Sequence, residues 1–322
     1  MKLLTLLFLS TLIFASDILT NYRIHGINEI EKQMDLELSQ KEYWSKYLKD
    51  KDTTFGYLES YKNILTCNKE KSTLNLYIKE NNNKFTFKKE YSAFTGKRKG
   101  DKVTEGDLKT PIGVYNIVQK LSKDTNLNEF YGPLAFVTSY PNVYDTYRGK
   151  DGSGIWIHGL PVKQERDEFT RGCIAINNSN IECLNNNITI NKTLLIINST
   201  EVQKNISKDK LALILAQLYQ WRFAWLYNDI ESYLKFYHND FVRNDGIKLE
   251  SFKSYKKRIF KKIEKKSIIF NDINIIPYPN TEDTYEITFK EFYKSDTFSF
   301  SGNKTLIIKL DQNNNIKILT EK

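Results

Sequence analysis

The chain has few of the residues on which metal and disulfide chemistry depend. Its 322 residues include only three cysteines and three histidines. No cysteine or histidine pair has the spacing of a metal-binding motif, so the sequence indicates neither a metal site nor another cofactor. The sequence also lacks an internal repeat, which excludes a repeat array.

Long hydrophobic runs are missing as well, except at the N-terminus. Lys2 precedes an apolar stretch, residues 3–14, that is too short to span a bilayer, and Ala15 and Ser16 are small enough for cleavage. Residues 1–16 are therefore predicted to be an export signal, although a buried helix or a retained anchor has the same pattern. For a bacterial chain, export makes the mature protein periplasmic or secreted, with the periplasm as the expected location, and at most peripheral to a membrane.

Basic residues outnumber acidic ones, with 48 Lys and Arg against 39 Asp and Glu and a formal net charge of +9. This excess favours an acidic partner, and after export a cell wall or membrane surface is a better candidate than nucleic acid. The segment 253–266 is especially basic. We interpret it as the solvated face of a helix. Its charges are Lys256, Lys257, Arg258, Lys261, Lys262, Lys265 and Lys266.

The period of the apolar residues divides the chain into three regions after the signal. Residues 17–55 have helical spacing, with a capping box at residues 39–42. The apolar positions of this helical segment are Ile27, Ile30, Met34, Tyr43, Trp44, Tyr47 and Leu48. A piece of this size cannot bury enough surface alone, so it must pack on the rest of the chain or on a second copy.

Residues 56–203 are predicted to form a strand-rich domain. Leu74, Leu76 and Ile78 alternate along one predicted strand, and an Asn-rich turn leads to the next. Further short apolar runs lie at residues 113–118, 134–138, 155–158 and 194–197, and a short helix is predicted at 179–185. The domain is expected to end near residue 203.

Residues 204–322 are predicted to contain three helices followed by an antiparallel sheet. Helical spacing covers residues 211–225, 230–237 and 252–266, and four apolar runs then follow between residues 268 and 319. Helices followed by strands are typical of an α+β layout. The whole chain is therefore predicted to be a multidomain α+β protein.

One cysteine and one histidine lie close in the sequence, each beside a glycine. His158-Gly159 is followed fifteen residues later by Cys173, in Thr170-Arg171-Gly172-Cys173. A thiol is a strong nucleophile only as thiolate, and a nearby imidazole can take its proton. A lone cysteine in such a domain is more often a small buried residue, so the pair matters more than either member.

A second motif precedes this pair, namely Gly106-Asp107-x-x-Thr110-Pro111-x-Gly113-x-Tyr115. Together, the two motifs resemble the L,D-transpeptidase catalytic domain, also called the YkuD domain, over roughly residues 70–200. That family carries a GD-x-x-TP-x-G-x-Y segment, an HG dipeptide and an S/T-H/R-G-C motif in the same order. The resemblance implies a peptidoglycan-acting enzyme without a metal or organic cofactor.

The resemblance also implies the role of each site residue. Cys173 would be the nucleophile, His158 its general base, and the carbonyl of Gly159 the group that orients the imidazole. The backbone N–H groups of Gly172 and Cys173 would stabilise an oxyanion. Residues expected to bind substrate are Thr170, Arg171, Tyr131 and Gly132, where Arg171 either binds a carboxylate or holds the loop, and Tyr131-Gly132 either shapes a loop or lines the groove.

One position departs from the family. Many members place Arg two residues after the nucleophile, where this chain has Ala175. The loss of an anchor for substrate there leaves the preference for donor or acceptor open. If Cys173 is the working thiolate, Cys67 and Cys183 are expected to be lone thiols rather than a disulfide, although spacing alone allows the pair. His25 and His238 are expected to be structural.

The C-terminal region resembles an NTF2-like domain, through Trp221, Trp225, Asp229, Tyr233, Tyr237, Phe241 and Asp245-Gly246. This order of domains is similar to the cell-shape L,D-carboxypeptidases of curved and helical Gram-negative bacteria. That similarity implies removal of D-alanine from tetrapeptide stems, and a homodimer formed by the N-terminal segment. An L,D-transpeptidase that forms crosslinks or acts on a wall-linked lipoprotein is the first alternative, and a non-catalytic wall-binding scaffold is the second.

Overall fold

The computed structural model describes residues 3–161, 167–199, 205–262 and 264–322. It contains an N-terminal helical segment, an eight-stranded closed barrel and a five-stranded C-terminal sheet with helices packed on it. This is the multidomain α+β arrangement that the sequence predicts. The predicted boundary at residue 203 lies outside the described residues. Within the described ranges, no helix is both long and apolar enough to cross a membrane.

Two helices form the N-terminal segment. They are α1 (Leu3–Leu38), which is interrupted at Gly26, and α2 (Lys41–Tyr47). Residues 1 and 2 of the predicted export signal lie outside the described residues, and its cleavage stays a prediction. The predicted capping box is wrong, because α2 has Gln40 as its N-cap and the Ser39 hydroxyl donates to the Asp35 carbonyl instead, at 2.9 Å.

The N-terminal segment packs on helix α5 (Lys208–Leu226) of the C-terminal domain. Trp44 and Leu48 are buried in the same apolar cluster as that helix. An ion pair also joins the two parts, since Arg222 Nη1 lies 2.7 Å from Asp35 Oδ1 and both side chains are largely buried. The helical segment therefore finds its missing core within the same chain, one of the two solutions that its small size allows.

The strand-rich region folds into a barrel. A short strand, β1 (Tyr57–Leu58), precedes it and pairs with the C-terminal sheet. The barrel order is β2-β3-β4-β8-β7-β6-β5-β9, and β9 pairs with β2 in parallel to close it. Its strands are β2 (Asn63–Asn68), β3 (Thr73–Lys79), β4 (Phe85–Phe94), β5 (Gly113–Ser122), β6 (Leu134–Thr138), β7 (Trp156–His158), β8 (Ile174–Ile176) and β9 (Thr193–Asn198).

The alternation predicted for the barrel is confirmed. Leu74 and Leu76 of β3 are fully buried in the barrel core. Every residue of β9 is buried, because one face looks into the barrel and the other into a second apolar cluster shared with the C-terminal domain. Two short α-helices lie in the region, α3 (Val143–Tyr147) and α4 (Asn178–Asn185), and α4 matches the predicted helix to within one residue.

Three helices and four strands form the C-terminal domain. After α5 come α6 (Ile230–Leu234) and α7 (Leu249–Phe260). The sheet order is β1-β10-β11-β12-β13, with β10 (Lys266–Pro277), β11 (Thr284–Ser295), β12 (Ser299–Leu310) and β13 (Ile316–Glu321). The third predicted helix is too long at its end, because the chain already enters β10 at Lys266.

The basic segment 253–266 is not uniformly solvated. The side chains of Lys257, Arg258, Lys261, Lys262 and Lys265 are exposed, as predicted. Lys256 and Lys266 are buried, which corrects the prediction at these two positions. The Lys256 ammonium lies 4.8 Å from the Trp225 ring centre and 5.2 Å from that of Tyr233. Burial lowers the pKa of Lys256 to about 8.

The buried ion pair between the N-terminal segment and α5 generates a prediction. Replacing Arg222 with Met leaves the Asp35 carboxylate buried without its cationic partner, so we expect Arg222→Met to lower the free energy of unfolding by about 3–5 kcal/mol. Urea unfolding followed by tryptophan fluorescence measures this difference. The exposed Lys257→Met is the control, expected to change stability by less than about 0.5 kcal/mol. Equal stabilities of the two variants would contradict a structural role for the pair.

Candidate active site

The candidate nucleophile and base lie on two adjacent, parallel strands. His158 is the last residue of β7, and Cys173 immediately precedes β8. The register pairs His158 with Ala175, two residues after Cys173. Because side chains alternate between the two faces of a sheet, Cys173 and His158 project from the same face. The register therefore places on neighbouring strands the two residues that the sequence predicts to work as a pair.

A backbone carbonyl sets the tautomer of His158. Its Nδ1 lies 2.6 Å from the carbonyl oxygen of Gly159, and the ring is buried. A carbonyl can only accept, so the hydrogen of the neutral imidazole is on Nδ1 and the lone pair is on Nε2. A lone pair in that position is what a general base for a thiol needs.

Aromatic side chains hold the imidazole from one side. The Tyr131 ring meets the His158 ring edge to face, with 5.0 Å between the centroids and 85° between the planes. Tyr131 also packs on Trp156, with 4.9 Å between their centroids. Gly132 follows with φ 73°, and a Cβ added there would lie 2.9 Å from the Cα of Gly159. The Tyr131-Gly132 loop therefore contacts the candidate base directly.

Thr170 shapes the turn that carries the thiol. Its buried hydroxyl donates to the Cys173 carbonyl at 2.6 Å and accepts from the Gly172 N–H at 3.0 Å. The thiol itself donates to the carbonyl of Gly154 at 3.4 Å. This geometry affects two predicted roles. Thr170, predicted to bind substrate, uses its hydroxyl for hydrogen bonds within the loop. The Gly172 N–H, predicted to stabilise an oxyanion, already donates to Thr170.

The GD-x-x-TP segment packs against this turn, at Gly172. Gly172 has φ 141°, and a Cβ added there would come within 3.0 Å of the Lys109 carbonyl oxygen. Lys109 is placed by Asp107, whose carboxylate accepts the N–H groups of Val103 and Lys109. Burial raises the pKa of Asp107, but these hydrogen bonds and the Lys102 ammonium outweigh it and lower the pKa to about 2. A carboxylate that stays charged thus anchors the loop beneath Gly172.

Arg171 and Ala175 flank the nucleophile in opposite environments. Arg171 is exposed, so its guanidinium can reach a substrate in solvent. Ala175 is fully buried beside His158. The position at which many family members carry Arg therefore lies inside this chain and presents no charge to a substrate.

The remaining cysteines and histidines lie in other parts of the structure. Cys67 is buried in β2 and Cys183 is half-buried in α4, and no disulfide joins them. The expectation of two lone thiols is confirmed, and the alternative disulfide is wrong. His25 lies on α1, and His238 Nδ1 accepts the N–H of Asp240 at 3.1 Å in the C-terminal domain.

Two residues that the sequence analysis did not single out contact the site. Asn178 Oδ1 accepts the N–H of Leu160 at 2.7 Å, next to the His158-Gly159 pair. Gly154 offers its carbonyl to the thiol. The helix prediction began at Ser179, one residue too late to draw attention to Asn178. The contact of Gly154 is made by its backbone and leaves no side-chain pattern in the sequence.

Comparison with known proteins finds matches to both domains of the chain. The L,D-transpeptidase catalytic domain (YkuD) matches residues 62–197, and the Cds6 C-terminal NTF2-like domain matches residues 213–322. Among solved structures, the helical cell shape determining protein Pgp2 from Campylobacter jejuni is 40% identical with a TM-score of 0.80, over 88% of this chain and 100% of that one.

Two further structures are similar over most of the chain. A point mutant of the same Pgp2 has a TM-score of 0.81 at 39% identity, over 89% of this chain and 99% of the other. Bd1075 from Bdellovibrio bacteriovorus has a TM-score of 0.64 at 28% identity, over 81% and 92%. No curated protein matches the chain. The chain therefore belongs to the L,D-transpeptidase (YkuD) family and carries an NTF2-like C-terminal domain, as the motifs indicate.

The environments of the thiols lead to a prediction about their reactivity. Burial raises the pKa of Cys67 to about 12, and the side chain is inaccessible. The imidazole of His158 on the neighbouring strand is expected to take the proton of the Cys173 thiol. We therefore expect iodoacetamide at neutral pH to label Cys173 faster than Cys183, and Cys67 only after unfolding. Peptide mass spectrometry over time measures the three rates. Equal rates at Cys173 and Cys183 would count against an activated thiol.

Proposed function

We propose that the chain is a periplasmic L,D-carboxypeptidase that removes the terminal D-alanine from peptidoglycan tetrapeptide stems. The observation that carries the proposal is the placement of Cys173 and His158 on one face of two adjacent parallel strands, with the imidazole tautomer set by Gly159. This arrangement suits a thiol nucleophile with a histidine base. Membership of the L,D-transpeptidase family supplies the substrate class.

In the proposed acylation step, His158 Nε2 takes the proton of the Cys173 thiol. The sulfur attacks the carbonyl carbon at the L-centre of meso-diaminopimelate, and the carbonyl oxygen becomes an oxyanion. When the intermediate collapses, the bond from carbon to the D-alanine nitrogen breaks. The imidazolium returns its proton to this amine, so D-alanine leaves and a thioester to Cys173 remains.

In the proposed deacylation step, water takes the place of the departed amine. His158 removes a proton from the water as its oxygen attacks the thioester carbon. Collapse breaks the carbon–sulfur bond, and the thiolate recovers the proton from the imidazolium. The products are a tripeptide stem and the free enzyme, so no oxidant, metal or organic cofactor enters the balance.

The oxyanion requires hydrogen-bond donors, for which we propose the backbone N–H of Cys173 first. The Gly172 N–H donates to Thr170 Oγ1, so it can contribute only if that bond opens during the reaction. Donors in fixed backbone positions stabilise developing charge without needing to reorganise. The Thr170 hydroxyl, which also bonds the Cys173 carbonyl, keeps this turn in one shape.

Substrate contacts are proposed on both sides of the thiol. Arg171 is exposed beside the nucleophile, and a guanidinium matches a stem-peptide carboxylate. Tyr131 and Gly132 border the candidate base on the other side. Buried Ala175 adds no charge, so in this proposal Arg171 is the cation that lies closest in sequence to the thiol.

The order of domains, which is similar to that of cell-shape L,D-carboxypeptidases, favours hydrolysis over crosslinking in this proposal. The same nucleophile and base serve both reactions, and the acceptor that reaches the thioester decides the product. Pgp2 is described as a helical cell shape determining protein, and its likeness to this chain extends over 88% of the sequence, including the C-terminal domain. We therefore propose that the enzyme modifies peptidoglycan in a way that affects cell shape.

The exposed side of α1 supports the proposal of a homodimer. The large apolar side chains exposed on this helix include Ile18, Leu19, Tyr22, Ile24 and Ile27. We expect Leu19→Lys combined with Ile27→Lys to convert a dimer to a monomer in light scattering, because the two charges oppose burial. Glu31→Lys, exposed on the same helix, is the control and should stay dimeric. A monomeric unmodified protein would refute the dimer.

Turnover of purified tetrapeptide muropeptides tests the proposed reaction. We expect a tripeptide and free D-alanine from the unmodified protein, separated by liquid chromatography. Cys173→Ala should abolish turnover because it removes the nucleophile, and Cys183→Ala should retain it because that thiol lies outside the site. Crosslinked muropeptide dimers among the products would instead identify the reaction as transpeptidation. Binding without turnover would overturn the enzymatic proposal in favour of a wall-binding scaffold, and activity in folded Cys173→Ala would overturn the assignment of the nucleophile.

A further inference from the structure

We propose that Asn178 is a positioning residue for His158, and that it acts through the peptide bond between Gly159 and Leu160. The inference rests on the proposed function, in which His158 is the base. It adds a residue outside both sequence motifs to the machinery that sets the imidazole tautomer.

Asn178 and His158 hold opposite ends of one peptide group. The carbonyl of Gly159 accepts from His158 Nδ1 at 2.6 Å. The N–H on the other side of the same peptide bond belongs to Leu160 and donates to Asn178 Oδ1 at 2.7 Å. A peptide group is planar, so fixing the direction of its N–H also fixes the direction of its carbonyl. The Asn178 side chain therefore aims the carbonyl at the ring.

This peptide needs an external restraint. It follows Gly159, and a glycine gives the backbone more freedom than any other residue. Without a partner for the Leu160 N–H, the peptide can rotate and the carbonyl can turn away from Nδ1. The two bonds also reinforce each other, because hydrogen bonds in a chain polarise the groups between them. A more polarised carbonyl is a better acceptor for the hydrogen on Nδ1.

Two glycines leave the space that the Asn178 side-chain amide occupies. A Cβ added to Gly159 would lie 2.5 Å from Asn178 Oδ1, and one added to Gly132 would lie 2.7 Å from the same oxygen. The Gly159 position is also bounded by Pro133 Cδ at 2.8 Å. The oxygen thus occupies a slot between Gly132 and Gly159 that closes if either residue gains a side chain.

The element that carries Asn178 is itself fixed. Asn178 is the first residue of α4, and the helix is anchored by Ile181 and Leu184, which are fully buried. Asn177 precedes it as the N-cap, is exposed, and makes no capping bond with its side chain. Asn177 is therefore a suitable control for Asn178. The Asn178 side chain accepts a hydrogen bond from the Leu160 N–H, whereas Asn177 faces solvent.

The variants separate the oxygen atom from the volume of the side chain. Asn178→Leu keeps a similar volume without an acceptor, and Asn178→Asp keeps an acceptor oxygen. Asn178→Ala is made in parallel, in case the leucine variant does not fold. Asn177→Leu is the matched control. Thermal unfolding shows which variants are folded, and all comparisons are made among those.

The first measurement is the ¹⁵N spectrum of the imidazoles, which is independent of any substrate. The chain has only three histidines, so His158→Gln assigns the signal. Above the imidazole pKa, we expect the unmodified protein, Asn177→Leu and Asn178→Asp to show one tautomer with the hydrogen on Nδ1. Asn178→Leu and Asn178→Ala should show a mixture of tautomers. Unchanged ¹⁵N shifts in both would overturn the proposal.

The second measurement is turnover of tetrapeptide muropeptides. We expect kcat to fall about 10- to 100-fold in Asn178→Leu and Asn178→Ala, by analogy with the loss of residues that orient metal-ligating histidines. KM should stay within about threefold, because the Asn178 oxygen is directed at the backbone rather than at the substrate. Asn178→Asp should recover most of kcat. A general loss of stability without a tautomer change would mark Asn178 as merely structural and refute the proposal.

The two measurements also separate this inference from the proposed function. If the unmodified protein releases no D-alanine, the carboxypeptidase proposal fails. The ¹⁵N spectra and the rate of Cys173 alkylation then still decide the role of Asn178, since both report on the base and the thiol without substrate. A slower alkylation in Asn178→Leu than in Asn177→Leu supports the positioning role, and equal rates contradict it.

Discussion

The contact between His158 Nδ1 and the Gly159 carbonyl is the interaction on which the site depends. A neutral imidazole has one acceptor nitrogen, and this 2.6 Å bond decides which one it is. A carboxylate in the same place would also stabilise the imidazolium by its charge. A carbonyl supplies direction with only a dipole, so the surrounding backbone must hold that direction closely.

The barrel supplies that direction through its connections. Strands β7 and β8 run parallel and adjacent, and the short register puts Cys173 only two residues before the partner of His158, although 14 residues separate the two in the chain. The turn before β8 is folded on Thr170, and Gly172 adopts a backbone angle that other residues rarely take, against the Lys109 carbonyl. Each sequence motif thus contributes one wall of the same site.

Sequence patterns predicted the parts of this protein that follow local rules. The alternation of Leu74 and Leu76 marks a strand because a barrel strand has one face toward the core. The Cys173 motif predicts a site, because the chemistry of a thiol nucleophile needs particular residue types. The burial of Lys256 was not predictable, since two of its aromatic partners, Trp225 and Tyr233, come from other helices. The same holds for Asn178, whose partner Leu160 is distant in sequence.

The GD-x-x-TP-x-G-x-Y motif also serves the contact between the two domains. A Cβ on Gly113 would lie 2.5 Å from the hydroxyls of both Tyr115 and Tyr278. The Tyr115 hydroxyl donates to buried Asp145 at 3.0 Å, on the barrel side of the contact. Tyr278 reaches this place from the residue after β10 in the C-terminal domain. The glycine is therefore required for two tyrosines from different domains to approach each other.

The domain contact also contains a buried carboxyl group, that of Glu286, which stays mostly uncharged. Glu286 of β11 is buried near Asp145, and burial, followed by the charge of that carboxylate, raises the pKa of Glu286 to about 8. At neutral pH this side chain is therefore mostly protonated, which spares the cost of a second buried negative charge. Because β9 packs on this contact with one face and lines the barrel with the other, the C-terminal domain completes the apolar surroundings of the barrel wall. The C-terminal domain is thus a structural part of the barrel.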